Sequence, residues 1–252
     1  MTWGMTAFVP LLCMGAMLAT FPPAAARAAG VAELAASCAD CHGPEGASSE
    51  PHVPIIGGFS EPYTTDSMVA YQEQERPCPE AEYLSGDKKG QKTTMCAIAE
   101  DLSDKEIEEL ASYYAGKPFV RAQQTFDAAL AEKGKEIHET NCDKCHAEAG
   151  SLASDDSGIL AGQWMPYLEQ AFKEFGSGER PMVKKMKPKF EKLEPADIEA
   201  LVNYYGSFKY THRNIARTVN RDSATRAGWL MELCRRVPAR RPARFALQLL
   251  PV

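Results

Sequence analysis

The chain has 252 residues, of which 34 are Asp or Glu and 28 Lys or Arg, for a net charge of −6. Residues 211–252 hold nine arginines against two acids and residues 1–29 a single arginine, so 30–210 keeps 18 basic and 32 acidic residues and stands at −14. Such a body disfavours nucleic acid and attracts basic proteins in a salt-dependent way, while the length allows one or two domains.

Residues 1–29 read as a secretory signal peptide. Ala7 to Phe21 is an apolar run, Pro22-Pro23 follow, and small residues end at Ala26-Arg27-Ala28, an A-x-A cleavage site. The run is shorter than the roughly 20 residues of a spanning helix, and Leu12 before Cys13 argues against a lipoprotein site. The n-region lacks Lys and Arg, which leaves an uncleaved anchor as the alternative. Export implies a periplasmic protein in which disulfides can form.

A short helical pattern from Val31 to Ser37 leads into Cys38-Ala39-Asp40-Cys41-His42. Another, Phe126 to Asn141, leads into Cys142-Asp143-Lys144-Cys145-His146, 104 residues on. A lone C-x-x-C suits a redox dithiol or half a zinc site. The adjacent histidine and the repetition point instead to c-type haem attachment: each thiol forms a thioether to a haem vinyl group, and the histidine becomes an axial ligand. Two covalently bound haems are expected, on Cys38 and Cys41 and on Cys142 and Cys145, with His42 and His146 on the irons.

Offset 104 also pairs Ile55-Ile56-Gly57-Gly58 with Ile159-Leu160-Ala161-Gly162, Pro62-Tyr63 with Pro166-Tyr167, and Glu75-Arg76-Pro77 with Glu179-Arg180-Pro181. Beyond Pro77 the offset becomes 91, matching Met95 with Met186, Leu102 with Leu193 and Tyr113-Tyr114 with Tyr204-Tyr205. The first half therefore carries 13 extra residues between Pro77 and Met95. Tyr63 to Glu75 and Tyr167 to Phe175 read as helices. Ile107, Leu110, Ala111, Tyr114 and Ile198, Leu201, Val202, Tyr205 each fall at i, i+3, i+4, i+7, an amphipathic helix closing each half. Ser103 with Glu106 makes a capping box, and Pro195 suits a first helical position. Nothing alternates with period two over a useful length, so the class is all-α: two tandem haem domains, 30–117 and 118–210.

Met95 and Met186 each stand seven residues before the leucine that opens the closing helix, and their shared register marks them as the second axial ligands. Core filling is the alternative use of a methionine; Met68 and Met182 lack a partner in the same register. His52 reads as a loop residue, His138 as a surface or packing residue, and His212 as the start of the tail. Arg76 and Arg180 recur together and read either as partners of haem propionates or as solvated arginines.

Cys78 and Cys96 bracket the insertion, and a disulfide between them would close it beside Met95, contributing about 3 kcal/mol by loop entropy; two unpaired thiols are the alternative. Gly86-Asp87-Lys88-Lys89-Gly90 reads as the turn of a polar hairpin. Residues 211–252, with Arg235-Arg236 and Arg240-Arg241, read as a disordered tail, or as a basic amphipathic helix able to touch an anionic membrane.

Two C-x-x-C-H domains with methionine ligands resemble the small dihaem cytochromes c of bacteria. Ile159-Leu160-Ala161-Gly162-Gln163-Trp164-Met165-Pro166-Tyr167-Leu168, the run Glu179-Arg180-Pro181-Met182-Val183-Lys184-Lys185-Met186 and the linker motif Gln124-Thr125-Phe126-Asp127 are similar to the cytochrome subunit of flavocytochrome c sulfide dehydrogenase. The likeness spans about 30–210. It implies a partner chain carrying FAD that oxidises sulfide and passes electrons to this one, and a basic soluble acceptor such as a cytochrome c. The chain itself holds no Gly-rich dinucleotide fingerprint and no catalytic residues are expected. A free-standing dihaem shuttle to a terminal oxidase is the alternative function, and a haem enzyme or sensor with one open iron the alternative of another class.

Overall fold

The structure is a computed structural model that describes residues 24–209, with side chains from residue 30. The expected signal peptide lies outside these residues apart from 24–29, and the arginine-rich tail of 211–252 lies wholly outside them. The described residues form nine α-helical segments, α1 (Ala24–His42), α2 (Glu61–Gln72), α3 (Met95–Glu100), α4 (Asp104–Ala115), α5 (Ala128–Asn141), the turn α6 (Ala147–Gly150), α7 (Met165–Ser177), α8 (Lys187–Phe190) and α9 (Pro195–Gly206), with short 3-10 turns at Pro44–Gly46 and Ala153–Asp155. One antiparallel hairpin, β1 (Ala81–Glu82) with β2 (Lys92–Thr93), pairs Ala81 with Thr93 and Glu82 with Lys92. No helix among the described residues is long and apolar enough to cross a membrane.

Local chemistry sets the helix starts. The Ser60 hydroxyl accepts from Tyr63 N at 3.2 Å, and Asp127 Oδ1 accepts from Ala129 N and Leu130 N at 2.8 and 3.0 Å, so each satisfies N–H groups that a first turn leaves open. At α4 the capping box closes both ways, with Ser103 N donating to Glu106 Oε2 at 2.9 Å and Glu106 N to the Ser103 hydroxyl at 3.4 Å. Pro195 opens α9. The main departure is α1, which runs from residue 24 rather than 31 because Ala24 to Ala36 is rich in alanine.

The chain divides into two compact units, whose main bodies end at Phe119 and begin at Val120. In the first, Ala35, Leu110 and Tyr114 form the core with Leu34, Ile56 and Leu102 around them. Gln72 Nε2 donates to Ala99 O and Leu102 O at 3.0 and 2.9 Å, tying α2 to the α3–α4 corner. In the second, Leu168, Leu201, Val202 and Tyr205 pack with Ile137, Leu160 and Phe172. There α5 crosses α9 where Gly134 meets Ala200; a Cβ on Gly134 would stand 2.5 Å from the Ala200 carbonyl carbon, inside hard contact.

The repeat holds at the level of single hydrogen bonds. Gly58 N donates to Tyr114 O at 2.8 Å, and Gly162 N to Tyr205 O at 2.8 Å. Ile56 N donates to Gly46 O and Leu160 N to Gly150 O, at 2.9 and 2.8 Å. Gly46 and Gly150 both have positive φ, 77° and 68°, as do Gly58 and Gly162 at 81° and 86°, a conformation that needs glycine's missing Cβ.

Candidate functional site

Helix α1 carries the first motif on its last turns: Cys38, Cys41 and His42 are its closing residues. His42 is buried, and its Nδ1 stands 2.9 Å from the Pro54 carbonyl oxygen. A carbonyl only accepts, so Nδ1 carries the proton and donates, leaving the Nε2 lone pair free for a metal. Burial pushes the His42 imidazole below its ordinary pKa, against the pull of Pro54 O, and keeps it neutral, the form that ligates. The Cys38 thiol is pushed up by burial, opposed mainly by the Tyr114 hydroxyl. Cys38 and Cys41 are free thiols rather than a disulfide. A histidine fixed in the ligating tautomer beside two free thiols is a donor set that fits a covalently held haem.

The second motif sits just past α5. Cys142 caps that helix, its N–H bonded to His138 O at 2.8 Å, and Cys145 is exposed. Burial pushes the Cys142 thiol up, opposed by the Tyr205 hydroxyl and then by the Lys189 ammonium. Burial also lowers His146, helped by nearby His138 and opposed by Asp155. Cys142 and Cys145 are again free, so the same donor set recurs.

Met95 and Met186 are partly buried, each at the start of a short helix, α3 and α8. Met186 N donates to Val183 O at 2.9 Å. The neighbour of Met95, Cys96, forms a disulfide with Cys78 across a Cα–Cα distance of 5.8 Å. The hairpin that this bridge closes folds back on the first motif: Leu84 N and Ser85 N donate to Asp40 O at 2.9 and 3.1 Å, and Cys41 Sγ lies 3.8 Å from Glu82 O. Gly86, at φ 70°, makes the approach to Asp40 that any Cβ would obstruct.

Some of the structure was beyond sequence reading. His138 is buried, the packing residue of its two readings, with the Tyr205 hydroxyl 3.0 Å from its Nδ1 and Asp143 Oδ1 3.7 Å from its Nε2, partners that the sequence did not name. The same register position in the first half is Leu34, so the first unit has no counterpart; the first-half tyrosine, Tyr114, instead reaches Ala35 O at 3.5 Å. The recurrence of Tyr113-Tyr114 as Tyr204-Tyr205 was the one available signal. Arg76 is buried, with its guanidinium 4.4 Å from the Tyr71 ring centroid, which excludes a solvated role. His52 is exposed in its loop.

The cytochrome c family profile matches residues 27–115, and that of cytochrome C oxidase, cbb3-type, subunit III matches 129–204. The chain is 30% identical over 200 residues to a cytochrome c4 of Stutzerimonas stutzeri, covering 71% of this chain and 90% of that protein. Reduced recombinant cytochrome c4 from Pseudomonas stutzeri superposes with a TM-score of 0.58 at 25% identity, over 72% of this chain and 98% of that one. A thiosulfate dehydrogenase from Marichromatium purpuratum superposes at 0.56 with 24% identity, over 72% of this chain and 40% of that one, a likeness of fold alone.

Proposed function

Since the chain belongs to the cytochrome c4 family, we propose that it is an exported electron carrier whose Cys38 and Cys41, and Cys142 and Cys145, bind the haems. Its fold is all-α, two tandem cytochrome c domains, and two covalently bound haem c groups come with them. His42 and Met95 would hold the first iron, and His146 and Met186 the second. Bound haem supplies one-electron chemistry between ferric and ferrous iron.

The protein's part would be to hold each haem in place and keep water from it. Pro54 O fixes the His42 tautomer and so aims Nε2; the Cys78–Cys96 bridge restrains the chain next to Met95; the buried Tyr114 and Tyr205 rings wall the two thiol-bearing turns. A thioether ligand favours reduced iron and raises the potential. With a histidine and a methionine holding each iron, no position would be left for a reactant, and the chemistry supplied would be outer-sphere electron transfer.

The observation that carries this reading is the recurrence of two free thiols and a histidine in units that share the bonds from Gly58 and Gly162 to Tyr114 and Tyr205 and from Ile56 and Leu160 to Gly46 and Gly150. Intact-mass spectrometry of periplasmic extract should show two haems per chain and cleavage after Ala28, and the reduced protein should stay spectrally silent under carbon monoxide at neutral pH. One haem, or a carbon monoxide adduct, overturns it.

A finer reading names the electron donor as an FAD-containing sulfide dehydrogenase chain. It is supported by the 159–168 and 179–186 stretches; Gln163 in the first is fully buried, its carbonyl accepting from Gln124 Nε2 at 2.8 Å in the linker that shares the likeness. Native pull-down with flavin fluorescence tests it, and isolation as a flavin-free monomer from native extract decides for the free-standing shuttle.

A further inference from the structure

The residues added to the first half build a hairpin, and the hairpin lies on the first cysteine motif. Leu84 N and Ser85 N both donate to Asp40 O, at 2.9 and 3.1 Å, and the Ser85 hydroxyl donates to Asp40 Oδ1 at 3.2 Å. Glu82 O stands 3.8 Å from Cys41 Sγ. Gly86, left-handed at φ 70°, packs so close to the Asp40 carboxylate that a Cβ there would overlap it. The base is pinned twice, by the Ala81–Thr93 and Glu82–Lys92 ladder and by the Cys78–Cys96 bridge.

The second motif shows the same residues without a hairpin. Ala39, Asp40 and Cys41 are half-buried, whereas their register partners Asp143, Lys144 and Cys145 are all exposed. Helix α1 also stays helical through His42, while α5 ends at Asn141, before its motif begins. Carbonyls in a last helical turn lack partners within the helix, and the two hairpin N–H groups supply one for Asp40 O. Charge does not account for this placement. Residues 80–93 carry Glu80, Glu82 and Asp87 against Lys88, Lys89 and Lys92, a balance of zero, and steering of a charged partner needs a net charge. What a neutral hairpin does to the turn beneath it is to cover it. A c-type cysteine is joined through its sulfur to a haem vinyl group, so whatever lies on Cys41 lies on that edge of the cofactor.

We propose that the 81–93 hairpin is a screen built over the Cys41 edge of the first haem, keeping water and small reagents from it and holding that haem at a higher potential than an open edge would give. Ferric iron carries one more positive charge than ferrous iron, and excluding water disfavours the more highly charged form. The proposal rests on haem attachment at Cys38 and Cys41.

The test uses the full-length holoprotein and a variant without residues 82–92, in which Asn-Gly joins Ala81 to its ladder partner Thr93 as a tight turn and the Cys78–Cys96 bridge is kept. In the reduced, diamagnetic state, proton NMR resolves the methyl group of each thioether bridge, and a neutral gadolinium chelate broadens those that are open to solvent. In the wild type the Cys41 bridge should broaden less than the Cys145 bridge; in the variant that protection should be lost and the two should broaden alike. Spectroelectrochemical titration of the same samples should show the first midpoint falling and the second unmoved. Cys41 protection that survives the deletion, or that is lost with no fall in the first midpoint, overturns the proposal, and a drop in melting temperature alone makes the hairpin a staple and nothing more. Where the deletion costs the chain its haem, Gly86→Val in the otherwise unaltered chain decides. A β-branched side chain is strained at that φ and aimed at Asp40, so it should lift the tip and move both readouts in the same directions; if neither moves, the screen is refuted. Intact mass separates the two failures: a wild-type chain without haem on Cys38 and Cys41 removes the attachment assignment, whereas two haems with an unprotected Cys41 bridge remove only the screen.

Discussion

Replacing Cys78 and Cys96 by serine opens the bridge at the base of the hairpin while leaving both haem motifs intact. The bridged residues are 18 apart in sequence, and loop-closure entropy for a loop of that length corresponds to about 3 kcal/mol, on the order of 150-fold in the equilibrium between closed and open forms. The hairpin then keeps its short ladder, the Leu84 and Ser85 hydrogen bonds to Asp40 O and the Ser85 hydroxyl on the Asp40 carboxylate, each worth about 1 kcal/mol, with the exposed Lys92–Glu80 pair beside them. Met95, next to the lost bridge, should therefore dissociate from iron at lower denaturant than in the parent. Guanidinium titration followed through the methionine-to-iron band resolves this, because the second site, which has no such bridge among the described residues, serves as an internal standard. The first-site transition should move by about 3 kcal/mol with the second unmoved. An equal shift at both sites, or one below about 1 kcal/mol at the first, would refute the view that the bridge acts by restraining the Met95 segment.

Tyr205→Phe removes the hydroxyl beside the buried His138 Nδ1 and should destabilise the second unit by about 1–3 kcal/mol, whereas Tyr114→Phe, losing only a 3.5 Å contact, should cost clearly less; urea unfolding of both variants ranks them. Gly134→Ala gains about 1 kcal/mol of helix propensity but drives a methyl group into the Ala200 backbone, which cannot rotate away, so overpacking of about 1–3 kcal/mol should win and lower the melting temperature. The Glu106 carboxyl is held below its ordinary value by the Ser103 hydroxyl and backbone N–H. A depressed carboxylate stabilises above its unfolded pKa and loses that contribution as pH falls through the folded one. The stability gap between wild type and Ser103→Ala should thus be full at pH 6 and shrink below the ordinary 4.5, as read by thermal melts across pH.

Much of the architecture is visible in the sequence because a covalent cofactor imposes fixed spacing, and two copies let each helix be checked against its partner. The capping box at Ser103 and the proline at 195 follow from local chemistry alone and lie where that chemistry puts them. What escapes is what distant segments do to one another. Nothing in Leu34 or His138 announces that they share a register, because one is apolar and the other polar; only the fold shows that the second unit places a hydrogen-bonded pair where the first has a leucine. Arg76 resembles a surface arginine until Tyr71 is brought over it by α2. The grip of the hairpin on Asp40 depends on a left-handed Gly86 in a loop without any repeat partner to compare.

The 13 additional residues fall between two networks, Gly58 to Tyr114 and Gln72 to the α3–α4 corner, that close regardless of what lies in the loop. The hairpin tip from Gly86 to Gly90 is exposed throughout, and length can vary there without disturbing either set of bonds. It is the natural place to graft a purification epitope or a surface-immobilisation handle beside the first haem motif.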